Sequence, residues 1–137
     1  DCIHLALKDA GIKSEEIDAI NGHLTATSKD VFEIQNWSEA LGRKGNNFPF
    51  INTFKSYIGH CLAAAGSVEL VGAVLQLREQ KIYANSNITA LHSKITDLID
   101  TNCLPLQSKG AAINILAKAS FGFGYVNACV ILKNYNY

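Results

Sequence analysis

The 137-residue chain contains no methionine, only two prolines and a single tryptophan, and none of its four cysteines forms a Cys-x-x-Cys pair. The spacings of Cys2, Cys61, Cys103 and Cys129 suit neither a metal cluster nor a small disulfide scaffold. The expectation is reduced thiols, mostly buried, in a cytoplasmic protein with no metal site. Charge is sparse at 18% and balanced, with 12 basic and 12 acidic residues. That balance argues against a nucleic-acid footprint or an anionic-membrane surface, although an acidic partner can still dock on a local basic patch. The longest apolar stretch, residues 68–77, is interrupted by Glu69 and Gln76 and is too short and polar to span a bilayer. No charged-then-apolar leader is visible, and the chain opens in what reads as mid-helix, so part of a longer protein is expected.

What the chain does have is a globular composition, 48% apolar, in a length that suits one domain over residues 1–137. At this size about two thirds of the unfolded surface can be buried. Ile3, Leu5, Leu7 and Ala10 have helical character, and Gly11 is a stop. Ser14, Glu15 and Glu16 form a capped turn before a buried strand over residues 17–21. Asp30, with Glu33 three residues on, reads as a capping box for a helix carrying Val31, Ile34, Trp37, Ala40 and Leu41 and ending at Gly42. A strand follows at 48–53, then a helix at 68–80 buried on most of its surface, and an extended stretch at 81–87. Residues 88–110 are irregular, with a short helix near 94–99. Two further strands, 111–119 and 127–133, flank a glycine-rich link. Alternation of helices and strands, closed by a hairpin, gives the α/β class with a mixed five-stranded sheet covered by helices.

Three stretches lie where an element end meets a loop. They are Asn21-Gly22-His23-Leu24-Thr25-Ala26-Thr27, then Lys55-Ser56-Tyr57-Ile58-Gly59-His60, then Ser120-Phe121-Gly122-Phe123-Gly124. Ligands gather beyond strand ends in α/β folds, so these positions can converge. Each also has an ordinary reading: a hydrogen-bonded structural histidine, turn hydroxyls at Thr25 and Thr27, a solvated Lys55, a tight turn at Gly122 and Gly124.

In order and internal spacing the three stretches together resemble the C-terminal half of type I and type II β-ketoacyl-[acyl-carrier-protein] synthases. The matching patterns are Asn-x-His-x-Thr-x-Thr, Lys-Ser-x-x-Gly-His followed by Ala-Ala-Gly, and Ser-Phe-Gly-Phe-Gly-x-x-Asn-Ala. The resemblance implies one half of a thiolase-like fold, with the nucleophilic cysteine in an N-terminal half that this chain lacks. It implies a decarboxylating Claisen condensation of a malonyl thioester with an acyl-enzyme, in fatty-acid or polyketide elongation. His23 and His60 match the two histidines that stabilise the enolate oxygen. Lys55 matches the lysine supporting the second histidine, and Glu69 its carboxylate partner; the structural alternative for Glu69 is a helix-start anchor. Thr25 and Thr27 match the pantetheine-binding threonines. Phe123 matches the gating aromatic, on a loop that Gly122 and Gly124 let move, while Phe121 packs. Asp30 and Glu33 are structural, as are His4 and His92. Cys61, beside His60, is not where the family nucleophile lies.

The resemblance further implies no cofactor, since substrates ride on the phosphopantetheine of acyl carrier protein. The implied partners are acyl carrier protein, the N-terminal half of the same synthase, and a second copy or a relative in a homodimer or heterodimer. The isolated domain is expected to be inactive. Departures from the family pattern are Leu24 where glycine is usual, Ala63 for a frequent glycine, Tyr125-Val126 for Gly-Thr, and no proline near residues 84–87. They bear on substrate detail more than on reaction type. Two other readings stand beside the enzyme: a non-catalytic partner like a chain-length factor, and a thiolase. Retained His23, Lys55 and His60 favour the enzyme over the first, and the absence of cysteine from residues 120–124 disfavours the second.

Overall fold

The computed structural model describes residues 1–135. Helix α1 (Cys2–Ala10) closes at Gly11, whose left-handed backbone (φ 64) lets its N–H reach the Lys8 carbonyl. Strand β1 (Ala19–Asn21) leads to α2 (Lys29–Leu41), which stops at Gly42, and then to β2 (Phe50–Asn52). A single helical turn, α3 (Lys55–Ile58), precedes the long α4 (Ala65–Glu79). After β3 (Lys81–Ile82) the chain wanders through α5 (Ser93–Thr96) to β4 (Lys109–Gly110). The hairpin β5 (Ile115–Phe121) and β6 (Asn127–Lys133) completes the fold. Among the described residues no helix is long and apolar enough to cross a membrane.

The main sheet runs β2-β1-β5-β6, parallel except for β6. The mixed α/β architecture is therefore as expected, but the sheet has four strands among the described residues, not five. The extended stretch after α4 contributes only Lys81 and Ile82, which pair with Gly110 and Lys109 in a separate two-stranded ribbon. Strands β1 and β2 are also shorter than their apolar runs, because the ladder holds only three residues of each.

Alternation along the strands sorts the core into two layers. Ile20, Ile51, Ile115, Ala117 and Ala119 face α1 and α2, where Ile3, Leu7, Ile34, Trp37 and Leu41 cover them. Ala19 and Leu116 face the opposite way, against Ala73 and Leu77 of α4. Full burial of each large apolar side chain here stabilises by about 1.5–3 kcal/mol.

Helix α4 departs from its expected burial. Ala65, Glu69, Ala73, Gln76 and Leu77 form one buried stripe, while Val68, Val71 and Val74 are exposed. Its apolar composition made burial on most sides the expectation, yet one layer of sheet covers one face only. Of the cysteines only Cys103 is buried; Cys2, Cys61 and Cys129 are half-buried, and all four are free thiols.

Candidate active site

The site grows from a polar row under α4. In register across the sheet, Asn52 of β2 sits beside Asn21 of β1, and Asn21 beside Lys118 of β5. All three are buried, on the face that α4 covers. Asn21 donates to Asn52 Oδ1 at 3.2 Å, and Asn52 donates to Gln76 Oε1 at 2.7 Å. Buried amides and charges persist only when partnered, and α4 supplies Gln76 and Glu69 on its inward stripe for this purpose. The row marks the strand ends from which the histidine loops depart.

His23 follows β1 directly. Its backbone N–H donates to Glu33 Oε1 at 2.7 Å. That approach requires glycine at position 22, where a Cβ would lie 2.8 Å from the same oxygen. One turn earlier, Asp30 takes the N–H groups of Thr25 and Ala26 at 2.9 and 3.0 Å. The acidic pair therefore does not form the expected capping box. Both carboxylates reach back and fix the loop carrying His23, Thr25 and Thr27, because its N–H groups have no ladder partner. Burial pushes Glu33 up from 4.5 to about 7.

His60 follows α3 through Gly59, whose φ of 72 with extended ψ is a conformation open essentially to glycine alone. The Leu62 N–H donates to His60 Nδ1 at 3.2 Å, so the neutral ring carries its proton on Nε2. The rings of His23 and His60 meet edge to face, centroids 5.2 Å apart. The Phe121 ring also meets His23 edge to face, centroids 6.1 Å apart. Burial, then the Lys55 charge, then His60, lowers His23 to about 4. At neutral pH it is an uncharged imidazole, and its Nδ1 is buried without a hydrogen-bond partner among the described residues.

Lys55 donates to Glu69 Oε1 at 2.5 Å, with both side chains almost wholly buried. Glu69 is thus an ion-pair partner and not merely a helix-start anchor. Thr25 and Thr27 share a hydrogen bond at 3.2 Å. They line a cavity of about 630 Å3 together with Lys55, Asn85, His92 and Leu104. Phe123, by contrast, is fully exposed on its loop, and the aromatic that meets His23 is Phe121. Gly122 closes that loop by donating to the Val126 carbonyl at 2.8 Å, with Gly124 (φ 77) at its tip. Cys61 points its thiol toward the carbonyls of Ile58 and Gly59, His4 is exposed, and His92 caps α5 by accepting the Lys94 N–H.

The family profile described as "Beta-ketoacyl synthase, C-terminal domain" matches residues 1–89. The chain belongs to the β-ketoacyl synthase family. Over 136 residues it is 35% identical to the 3-oxoacyl-[acyl-carrier-protein] synthase 2 of Rhizobium meliloti, covering 98% of this chain and 31% of the relative. It thus spans about a third of the length of that curated relative. Among solved structures, the ishigamide ketosynthase/chain length factor superposes with a TM-score of 0.85 at 28% identity, over 98% of this chain and 32% of that one. A type II polyketide synthase acyl-carrier protein in complex with its ketosynthase, bound to the hexaketide, gives 0.82 at 26% identity, over 98% and 32%. The synthase domain therefore has the thiolase-like fold expected of it.

Sequence reasoning missed Lys118. The signal was there: Ala-Ile-Asn, Phe-Ile-Asn and Leu-Ala-Lys are three apolar pairs each closed by one polar residue, and the sheet aligns them. A lone lysine inside an apolar strand asks for a buried partner.

Proposed function

We propose that this chain supplies the decarboxylation half of a β-ketoacyl synthase, acting with an upstream half that carries the nucleophilic cysteine. A malonyl thioester arrives on the phosphopantetheine arm of acyl carrier protein. Its bond to the carboxylate breaks, carbon dioxide leaves, and the electron pair passes into an enolate whose oxygen gains negative charge. Nε2–H of His60 and an N–H of His23 donate to that oxygen. The enolate carbon then attacks the acyl-cysteine carbonyl, a carbon–carbon bond forms, and the cysteine departs as a thiolate.

The observation that carries this reading is the meeting of two imidazoles, distant in sequence, at 5.2 Å. A neutral ring offers one N–H and an enolate oxygen accepts two, each typically worth about 3 kcal/mol of barrier. The low pKa of His23 supports a donor role over a cationic one. Lys55, held by Glu69, adds positive charge behind the pair. Thr25 and Thr27 bind the pantetheine arm at the mouth of the cavity they line. Phe123, Gly122 and Gly124 form the gate, which closes against the upstream half. The protein needs no cofactor of its own and works as a homodimer or as a heterodimer with a relative.

The test joins this chain to its upstream half and measures carbon dioxide released from a labelled malonyl thioester. Release dependent on His23 and His60 is expected. No release, together with an upstream half lacking the cysteine, makes the protein a chain-length-factor-like partner.

A further inference from the structure

Lys118 has no place in the chemistry just described, yet it is among the most buried charges in the molecule, 2% exposed on the inner face of β5. Its ammonium makes an ion pair with Glu69 Oε2 at 2.8 Å, while Lys55 holds Oε1 of the same carboxylate. It also donates to the Ala119 carbonyl and, at 3.1 Å, to Ser120 Oγ, one residue before the end of β5. One carboxylate between two ammoniums leaves the cluster with a net charge of +1 (two positive, one negative). A neutral side chain fills such a site more cheaply, since one carboxylate cannot fully compensate the desolvation of two buried cations. Burial does pull Lys118 below the ordinary lysine value, with Glu69 opposing.

We propose that Lys118 is a positioning residue of the condensing site: by clamping the second oxygen of Glu69 it sets Lys55 against the histidine pair, and its charge gives that pocket a positive excess where an enolate forms. The inference rests on the condensing reading above. At His23 the Lys118 charge acts in the same sense as that of Lys55, lowering the ring, but it is the smallest influence there and is smaller than the opposing one of Glu69. The charged and titratable groups around His23 are His60, Lys55 from α3, Glu69 from α4, Lys118 from β5 and, at its own N–H, Glu33 from α2. A fixed cationic cluster does two things there. It holds the His23 imidazole uncharged, and it stabilises negative charge appearing on a thioester oxygen beside it. The Ser120 hydrogen bond ties the ammonium to the end of β5.

The experiment compares Lys118→Met, Lys118→Gln and Lys118→Arg in the full-length protein. Readouts are steady-state malonyl decarboxylation across pH and an NMR titration of the His23 ring. Removing the charge is expected to lower kcat roughly tenfold or more with KM within about twofold. It should also raise the His23 midpoint and move the acidic limb of the rate to higher pH. Lys118→Arg keeps the low midpoint. Neutral variants with unchanged kcat and midpoint overturn the proposal, and so does a slower enzyme whose midpoint has not moved. Neutral variants that are insoluble mark a purely structural lysine and overturn it equally. A wild type that releases no carbon dioxide, while its His23 midpoint still responds to Lys118→Met, strikes the condensing reading and upholds the electrostatic link.

Discussion

Glu33 accepts the backbone N–H of His23 at 2.7 Å, so a carboxylate on α2 sets the position of a ring that the sheet presents. Burial holds this carboxyl at about 7, against an ordinary 4.5. Between those values the folded protein binds a proton that the unfolded chain has released, so this group's contribution to stability falls as pH rises from 4.5 to 7. Glu33→Gln keeps an acceptor for the N–H and removes the titration. Urea midpoints measured from pH 4.5 to 8 should show the variant gaining on the wild type as pH rises, and parallel curves contradict the assignment.

His23 behaves in the opposite sense. Its folded value, about 4, lies below the ordinary 6.5, so the unfolded chain binds the extra proton in that window. The stability it confers is complete above 6.5 and is lost as pH falls toward 4. The His23 ring, followed by NMR across pH, should then titrate near 4 and not near 6.5. A His23 midpoint near 6.5 contradicts a neutral, half-buried ring.

Glu69 is a single carboxylate held between two buried ammoniums, Lys55 and Lys118. Glu69→Ala leaves Lys55 and Lys118 facing each other without compensation, and a loss of about 3–5 kcal/mol in unfolding free energy is expected. Chemical denaturation of the purified protein checks it, and a loss below about 1 kcal/mol is incompatible with the buried pair.

Gly22 is constrained by what approaches it. A methyl group there meets Glu33 Oε1 at 2.8 Å and the Leu24 side chain at 3.2 Å. Gly22→Ala should cost about 1–3 kcal/mol in unfolding free energy. It should also lower decarboxylation, because Glu33 must release the His23 N–H to make room. Wild-type activity in a stable variant would show that the Glu33 contact does not position the ring.

Much of this arrangement was legible in the residue order. Gly11 and Gly42 ended helices where the periodicity stopped, and β6 begins and ends at its apolar run. The histidine stretches were placed at element ends, and the rings do meet. What escaped reading depends on contacts between distant elements. Asp30 and Glu33 have the spacing of a capping box, but spacing does not say whether a carboxylate turns to its own helix or back to a loop with unpaired N–H groups. The apolar residues of α4 reveal nothing about how many of its faces are covered. Phe121 and Phe123 are equivalent as letters, and only the strand end decides that the first turns to His23 and the second to solvent. Lys118 acquires its meaning from Glu69, which lies on another element altogether.

The most direct test replaces each histidine in turn, His23→Ala and His60→Ala, in the full-length protein. Carbon dioxide release from malonyl thioester and acyl transfer to the upstream cysteine are followed separately. Each variant is expected to lose decarboxylation by about 100- to 1,000-fold while still accepting the acyl group. Equal loss of both steps, or decarboxylation that survives without either ring, contradicts the shared oxyanion site.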